Sequence, residues 1–188
     1  APDVLVRAAA QILEQRPELR DRLVVAVLGG ASGRGLSAPD RLQRLGEELG
    51  VGDVLHLSAP VSRSELADWY RAADLVAVPS YTESFGLVAV EAQATGTPVV
   101  AAAVGGLPIA VAEGETGLLV HSHDPVDWAD ALARLLDDDP MRIAMGEAAV
   151  AHAARFSWAS SAAALAEIYD EASHIEVPDC HQRRASGD

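Results

Sequence analysis

The fold is decided by residues 75–102, LVAVPSYTESFGLVAVEAQATGTPVVAA. An apolar run at 75–78 ends at a proline, and a second apolar run occupies 98–102. Short apolar runs bounded by Pro or Gly are typical of strands buried in a parallel sheet. Residues 85–94 between them are predicted to form a helix that Gly96 terminates. The stretch therefore predicts a strand, a helix and a second strand in succession.

The same alternation extends to both sides of this stretch. Further strands are predicted at 23–28, 54–57 and 118–120, and further helices at 2–16, 39–49, 64–72, just after Gly106, and at 125–136, 141–155 and 159–172. Repeated strand-then-helix units predict an α/β fold: a Rossmann-like, doubly wound parallel sheet with helices on both faces. We assign 1–173 to one domain and 174–188, which mix charge, Pro, Gly and Ser without a period, to a disordered tail.

The start of the chain is out of order for this fold. A helix comes first, whereas the first strand of a doubly wound sheet lies near its middle. We therefore expect that Ala1 is a truncation point and that the first strand is missing.

Composition limits the partners. The formal charge of −14 opposes binding to nucleic acid or to an anionic membrane, and an anionic small ligand would need a local positive site. The apolar stretch 98–112 is short and broken by Gly and Pro, so it does not span a membrane. Cys180 is the only cysteine, which predicts a cytoplasmic protein without an intrachain disulfide. The oligomeric state, a homodimer included, is left open.

Residues 80–91, SYTESFGLVAVE, carry the chemistry because they join a strand to a helix at the carboxyl edge of the sheet. Ser84 is predicted to cap the helix, and the free amides at its start favour negative charge. Glu83 lies just before the helix and Glu91 lies further along it. Two carboxylates on either side of an anion site suit a ligand with a ribose, a pyrophosphate and a hexose in series.

Several motifs in the same order carry a family resemblance. Glu83 and Glu91, separated by seven residues, resemble the E-x7-E signature of retaining GT-B glycosyltransferases. The flanking segments match that family too: YRAAD at 70–74, AQATGTPVV at 92–100, VGGLP at 104–108, EGETGLLV at 113–120 and FSW at 156–158. The resemblance implies that the chain is the C-terminal half of a GT-B fold, the half that binds the nucleotide sugar.

The resemblance also implies roles for individual residues. The carboxylate of Glu91 would hold the ribose hydroxyls, since it can accept from two vicinal hydroxyls. Glu83 would face the donor sugar and is the candidate catalytic residue. The other donor-binding positions are Val61, whose backbone would contact uracil, and the segment Ser84, Phe85, Gly86 and Leu87, whose amides would meet sugar or phosphate oxygens.

A magnesium ion is a further implication of the resemblance. Main-chain carbonyls of Tyr70, Arg71 and Ala73 would hold it, with Thr97 nearby, and carbonyls left free at a helix end make such a site reasonable. The ion is given no catalytic role, and no organic cofactor is expected.

Within the family, the motifs imply transfer of N-acetylglucosamine from UDP-N-acetylglucosamine to 1D-myo-inositol 3-phosphate, a step of mycothiol biosynthesis. The acceptor would bind to an N-terminal domain, which is absent. An Arg and a Lys that neutralise the pyrophosphate in the family would precede Ala1. This stretch alone is therefore expected to bind the donor weakly and not to catalyse the transfer.

Other interpretations stay open. On spacing alone, the two glutamates are a solvated loop acid and a helix-face acid. The family also contains transferases with other acceptors, and a non-catalytic nucleotide-sugar-binding remnant would keep the same motifs. A covalent nucleophile at Glu83, as in retaining hydrolases, is disfavoured because the family is thought to transfer on one face of the sugar.

Three further features have a simpler explanation than a functional one. The loop GGASGRG at 29–35 has the wrong glycine spacing for a dinucleotide site, although Arg34 could contact a phosphate. His121 and His123 resemble a metal pair but are more simply an exposed turn. The tryptophans Trp69, Trp128 and Trp158 lie at apolar helix positions and are predicted to be core.

Overall fold

The computed structural model of the chain describes residues 1–29 and 39–174. It divides into two compact units, Ala1–Ala154 and Arg155–Asp188. The glycine-rich loop with Arg34 lies outside the described residues except for Gly29, and so does the predicted tail except for His174. The limits of the predicted domain and of the tail stay predictions.

Strands and helices alternate along the described chain in the predicted order. The strands are β1 (Val25–Leu28), β2 (Leu55–Ser58), β3 (Val76–Val78), β4 (Val99–Ala102) and β5 (Gly117–Val120). The helices are α1 (Pro2–Gln15), α2 (Pro39–Glu48), α3 (Arg63–Ala72), α4 (Leu87–Ala94), α5 (Leu107–Ala110), α6 (Pro125–Asp137), α7 (Asp139–Ala154) and α8 (Trp158–Ser173).

All described strand pairs are parallel. β1 pairs with β2, with Val25 opposite Leu55, and β4 pairs with β3 on one side and β5 on the other. In the doubly wound order 3-2-1-4-5-6, β2 and β1 take positions 3 and 2, and β3, β4 and β5 take positions 4, 5 and 6. Position 1, between β1 and β3, holds no strand among the described residues. The predicted doubly wound parallel sheet is confirmed, and among the described residues it consists of two parts, the pair β1–β2 and the three strands β3, β4 and β5.

Helix α1 connects the two parts of the sheet. One set of its apolar side chains, including Val4 and Ile12, is buried with the strands β3, β4 and β5. A second set, Val6 and Leu13, is buried with α2 and the β1–β2 pair. Because one helix supplies side chains to both clusters, its packing holds the β1–β2 sheet and the three-stranded sheet in one unit.

The helices pack against one another as well as on the strands. α1 packs against α2 and α6, α4 packs against α3, α5 and α7, and α6 packs against α7. Helices on both faces of a parallel sheet are what the alternation of strands and helices predicts.

The start of α4 differs from the prediction. The helix begins at Leu87 rather than at 85, and its N-cap is Gly86 with φ of +98° instead of Ser84. A left-handed residue cannot continue a right-handed helix, so the backbone of the preceding residues stays in a loop. The prediction was wrong because Gly86 was taken as part of the first turn.

The tryptophans have three different environments. Trp128 is fully buried, as predicted, and its indole Nε1 donates to the carbonyl of Ser122 at 2.9 Å. Trp69 is half-buried and stacks on His56, with ring centroids 5.2 Å apart. Trp158 is 92% exposed at the first position of α8, so its assignment to the core was wrong. Periodicity marks the apolar face of a helix but does not show whether that face is covered.

A helix that spans a bilayer needs about 20 consecutive, predominantly apolar residues. Within residues 1–29 and 39–174, no helix meets that requirement.

Candidate functional site

The predicted site lies on the loop that leaves the carboxyl end of β3. This loop carries Glu83, Ser84 and Phe85 to the start of α4. The side chain of Glu83 is half-buried, and its Oε1 accepts weakly from the amide of Phe85 at 3.5 Å. Phe85, Leu87 and Val88 leave apolar surface exposed around it. The structure therefore brings the residues of the motif to one edge of the sheet.

The free amides at the start of α4 are displaced from the predicted ones. The first helical bond runs from the amide of Val90 to the carbonyl of Gly86 at 3.1 Å. The first-turn amides without a helical partner are consequently those of Leu87, Val88 and Ala89. The amide of Phe85 turns towards the carboxylate of Glu83 instead. An anion at this helix start would be bound by the amide of Leu87, which was predicted, and by the amide of Val88, which was not.

Two glycines after β4 hold this loop in place. The amide of Gly106 donates to the carbonyl oxygen of Glu83 at 3.1 Å. A Cβ on Gly105 would lie 1.8 Å from the same oxygen, and one on Gly106 would lie 2.6 Å from Cα of Phe85. No other residue type fits at such distances without moving the backbone. The VGGLP motif thus serves as the backbone support of the Glu83 loop.

Gly86 is required for a related reason. Its φ of +98° favours glycine, and a Cβ there would lie 2.7 Å from Cδ2 of Leu107, which is fully buried in α5. The side chain of Leu107 therefore occupies the space next to the Cα atom of Gly86.

Glu91 lies on the exposed face of α4, one helical turn after the loop. Its Oε2 accepts a hydrogen bond from the hydroxyl of Tyr70 at 3.3 Å. The carbonyl of Tyr70 in turn accepts from the hydroxyl of Thr97 at 2.6 Å. Tyr70 at the end of α3 is thus bonded to Glu91 within α4 and to Thr97 in the connection from α4 to β4.

Tyr70 keeps its proton in this environment. Its burial, followed by the negative charge of Glu91 and the hydrogen bond to it, raises the pKa of the Tyr70 phenol to about 12. Because deprotonation would place a phenolate beside a carboxylate, the hydroxyl acts as a donor to Glu91 across the physiological range.

His123, after β5, also contacts the loop. Its Nε2 lies 3.0 Å from the carbonyl oxygen of Ser80, and its ring stacks on Tyr81 with centroids 4.3 Å apart. His123 is half-buried, so the prediction of an exposed turn holds for His121 but not for His123. In the part of the chain that the structure describes, no group of three or more His, Cys, Asp or Glu side chains could hold a metal ion.

A cavity of about 750 Å³ lies beside Tyr81, between α1 and α2. Three arginines, Arg7, Arg41 and Arg44, line it. Guanidinium groups suit phosphate oxygens. Asp3 and Glu48 line the same cavity, so the arginines outnumber the carboxylates by one; the sequence analysis missed this group of arginines in a chain with a net charge of −14. The signal for it was Arg41 and Arg44 on one helix, three residues apart.

The remaining predicted positions lie away from the loop. Val61 is half-buried on the connection from β2 to α3. Arg71 and Ala73 lie with Tyr70 at the end of α3, and the side chain of Arg71 donates to Asp68 at 2.7 Å. The carbonyl of Tyr70 already accepts two bonds, from Thr97 at 2.6 Å and from the amide of Ala73 at 3.2 Å. A cation could use this carbonyl only in competition with the Thr97 hydroxyl.

Comparison with known protein families gives one extensive match. The family described as Glycosyl transferases group 1 matches residues 1–152. Among individual relatives, a D-inositol 3-phosphate glycosyltransferase from Corynebacterium aurimucosum is 63% identical over 186 residues. That alignment covers 99% of this chain but 44% of the relative, so the chain spans less than half the length of that protein.

Solved structures show the same fold. Sucrose-phosphate synthase from Thermosynechococcus elongatus matches with a TM-score of 0.75 and 33% identity, over 88% of this chain and 41% of that one. HepE from Anabaena in complex with UDP-glucose matches with a TM-score of 0.76 and 26% identity, over 89% of this chain and 44% of that one. Both similarities support the C-terminal half of a GT-B fold.

The glycine support of the Glu83 loop gives a direct test. We expect Gly105→Ala to lower the free energy of unfolding by about 2 kcal/mol more than Gly114→Ala does. Both glycines have positive φ, +54° and +75°, but only a Cβ at Gly105 meets backbone, since nothing lies within 4 Å of one at Gly114. Urea denaturation of the two variants measures the difference. Equal losses would mean that the close approach to Glu83 carries no energetic weight.

Proposed function

We propose a function from one premise: the chain belongs to the glycosyl transferases group 1 family, whose model matches residues 1–152. It forms the donor-binding half of a retaining glycosyltransferase. The observation that carries the proposal is the placement of Glu83 and Glu91 before and along α4, with the amides of Leu87 and Val88 between them. This order fits the hexose, pyrophosphate and ribose of a nucleotide sugar.

The ribose end of the donor is assigned to Glu91. Its carboxylate is exposed on α4, and one of its oxygens is oriented by Tyr70. A carboxylate has room for two vicinal hydroxyl donors beside such a bond. The UDP-glucose complex of HepE, a structural neighbour, supports a UDP donor for this chain. Uracil would then lie towards the backbone of Val61 at the carboxyl end of β2.

The pyrophosphate lies at the start of α4 in this proposal. The amides of Leu87 and Val88 and the positive end of the helix dipole favour its charge. The arginines beside Tyr81 add positive charge at the same edge of the sheet. Glu83 faces the donor sugar, and Ser84 and Phe85 complete the loop around it. The support from Gly105 and Gly106 keeps that carboxylate from moving with the substrate.

The substrates follow from the relatives. Since the Corynebacterium aurimucosum protein is a D-inositol 3-phosphate glycosyltransferase, the proposed reaction transfers N-acetylglucosamine from UDP-N-acetylglucosamine to 1D-myo-inositol 3-phosphate, for mycothiol biosynthesis. The acceptor is assigned to a part of the protein beyond this stretch, which spans 44% of that relative. A cytoplasmic location remains a prediction from the single cysteine.

Magnesium is proposed as a structural ion at the end of α3. The carbonyls of Tyr70, Arg71 and Ala73 would hold it after the Thr97 hydroxyl turns away, and oxygen ligands suit this cation. We expect millimolar MgCl₂ to raise the melting temperature of the protein, and we expect Thr97→Val to keep that response because the competing hydroxyl is removed. Melting curves with MgCl₂ and with EDTA measure it. If MgCl₂ leaves the melting temperature of both proteins unchanged, the proposed magnesium ion is wrong.

The two glutamates give the test of the proposed function. We expect Glu91→Ala to weaken UDP binding by about 1.5 kcal/mol or more, roughly tenfold in Kd, because UDP and its sugars share the ribose. Glu83→Ala should leave UDP binding nearly unchanged and weaken only the UDP-sugar, since Glu83 faces the hexose. Calorimetry with UDP and UDP-N-acetylglucosamine measures both.

The control for this experiment is Glu147→Ala, which removes an exposed glutamate from α7. It should bind both ligands as the unchanged protein does. If the Glu83 and Glu91 variants lose plain UDP equally, the assignment of ribose to Glu91 and of hexose to Glu83 is wrong.

A further inference from the structure

Tyr70 is attached to the site at two points. Its hydroxyl donates to Oε2 of Glu91 at 3.3 Å, and its carbonyl accepts from Thr97 at 2.6 Å. The hydroxyl of Thr95 meanwhile donates to the carbonyl of Ala92 at 2.7 Å, one residue beyond Glu91. The end of α3 is therefore bonded to Glu91 on α4 and to Thr97 beyond the end of α4, and the bond of Thr95 closes the last turn of α4 itself.

A glutamate on an exposed helix face needs such a contact if it is to hold a ligand. Its side chain has three rotatable bonds, and fixing them on binding costs free energy. A donor that already orients one carboxylate oxygen reduces that cost before the ligand arrives. The phenol of Tyr70 is suited to this task because its ring is half-buried and has few rotatable bonds.

The direction of the hydrogen bond is also fixed. The phenol carries a proton and the ionised carboxylate has only acceptor oxygens, so Tyr70 donates and Glu91 accepts. The carboxylate keeps its negative charge and its remaining lone pairs for other donors.

We propose that Tyr70 is a positioning residue that orients the carboxylate of Glu91 for the two hydroxyls of the donor ribose. The inference rests on the proposed function, because it requires that Glu91 bind ribose. It adds a residue whose side chain is not expected to touch the ligand and whose loss acts only through Glu91.

The test compares UDP with 2′,3′-dideoxy-UDP, which lacks both ribose hydroxyls. Tyr70→Phe should weaken UDP binding about fivefold and leave binding of the dideoxy nucleotide unchanged, because only the former uses the oriented carboxylate. In turnover assays of the full-length protein, the donor KM should rise while kcat is kept. Tyr169→Phe, which changes an exposed tyrosine of α8, is the matched control and should alter neither ligand.

A second background separates this inference from the proposed function. In a Glu91→Ala protein, Tyr70→Phe should cause no further loss of UDP affinity. If Glu91→Ala weakens UDP and Tyr70→Phe does not, the positioning role is overturned and the proposed function stands. If Glu91→Ala leaves UDP binding unchanged, the ribose assignment fails and the role of Tyr70 fails with it. Equal losses of UDP and dideoxy-UDP in Tyr70→Phe would show a merely structural effect.

Discussion

The close approach of Gly105 and Gly106 to the backbone of Glu83, Ser84 and Phe85 is the constraint on which the rest of the site depends. The loop after β3 carries a half-buried carboxylate and then the left-handed Gly86, and a short loop of this kind has many conformations open to it unless other contacts select one. The amide of Gly106 bonds to the carbonyl of Glu83, and the missing Cβ atoms allow the two backbones to touch. Once this loop is fixed, the start of α4 and the direction of its free amides follow from it.

A second set of contacts fixes the far end of α4. Tyr70 reaches Glu91 through its side chain and Thr97 through its carbonyl, so α3 and α4 are held by hydrogen bonds as well as by packing. The two sets of contacts support opposite ends of the proposed site. Backbone contacts hold the loop that faces the hexose, and side-chain contacts hold the end that faces the ribose. In a strongly negative chain, a bound pyrophosphate would depend on the amides that begin α4 and on the arginines beside Tyr81, which outnumber Asp3 and Glu48 around the same cavity by one.

Much of the fold could be predicted because it depends on local patterns. Short apolar runs identified every described strand, and the alternation with helices identified the sheet type. The resemblance placed the site on the loop before α4. The start of that helix was missed, because the left-handed backbone of Gly86 results from its packing against Leu107, 21 residues further along the chain. Trp158 was misassigned because a stripe on one helix does not reveal what lies opposite it.

The support residues could not be predicted for the same reason. The contact between Tyr70 and Glu91 and that between His123 and Ser80 depend on how elements distant in sequence cross at the edge of the sheet. The family resemblance gave Tyr70 a role only through its carbonyl, and the position of His123 after a strand indicated an exposed turn. Residues that act on others rather than on the ligand leave no spacing signal in a single sequence.

The central claim is that the segment from Glu83 to Glu91 binds the nucleotide of a UDP-sugar, and a crystal structure of the protein with UDP tests it most directly. The account predicts the carboxylate of Glu91 within hydrogen-bond distance of both ribose hydroxyls, with Tyr70 still bonded to it. It also predicts the phosphates against the amides that begin α4. UDP bound away from α4, or bound with its ribose hydroxyls directed to solvent, would contradict the account.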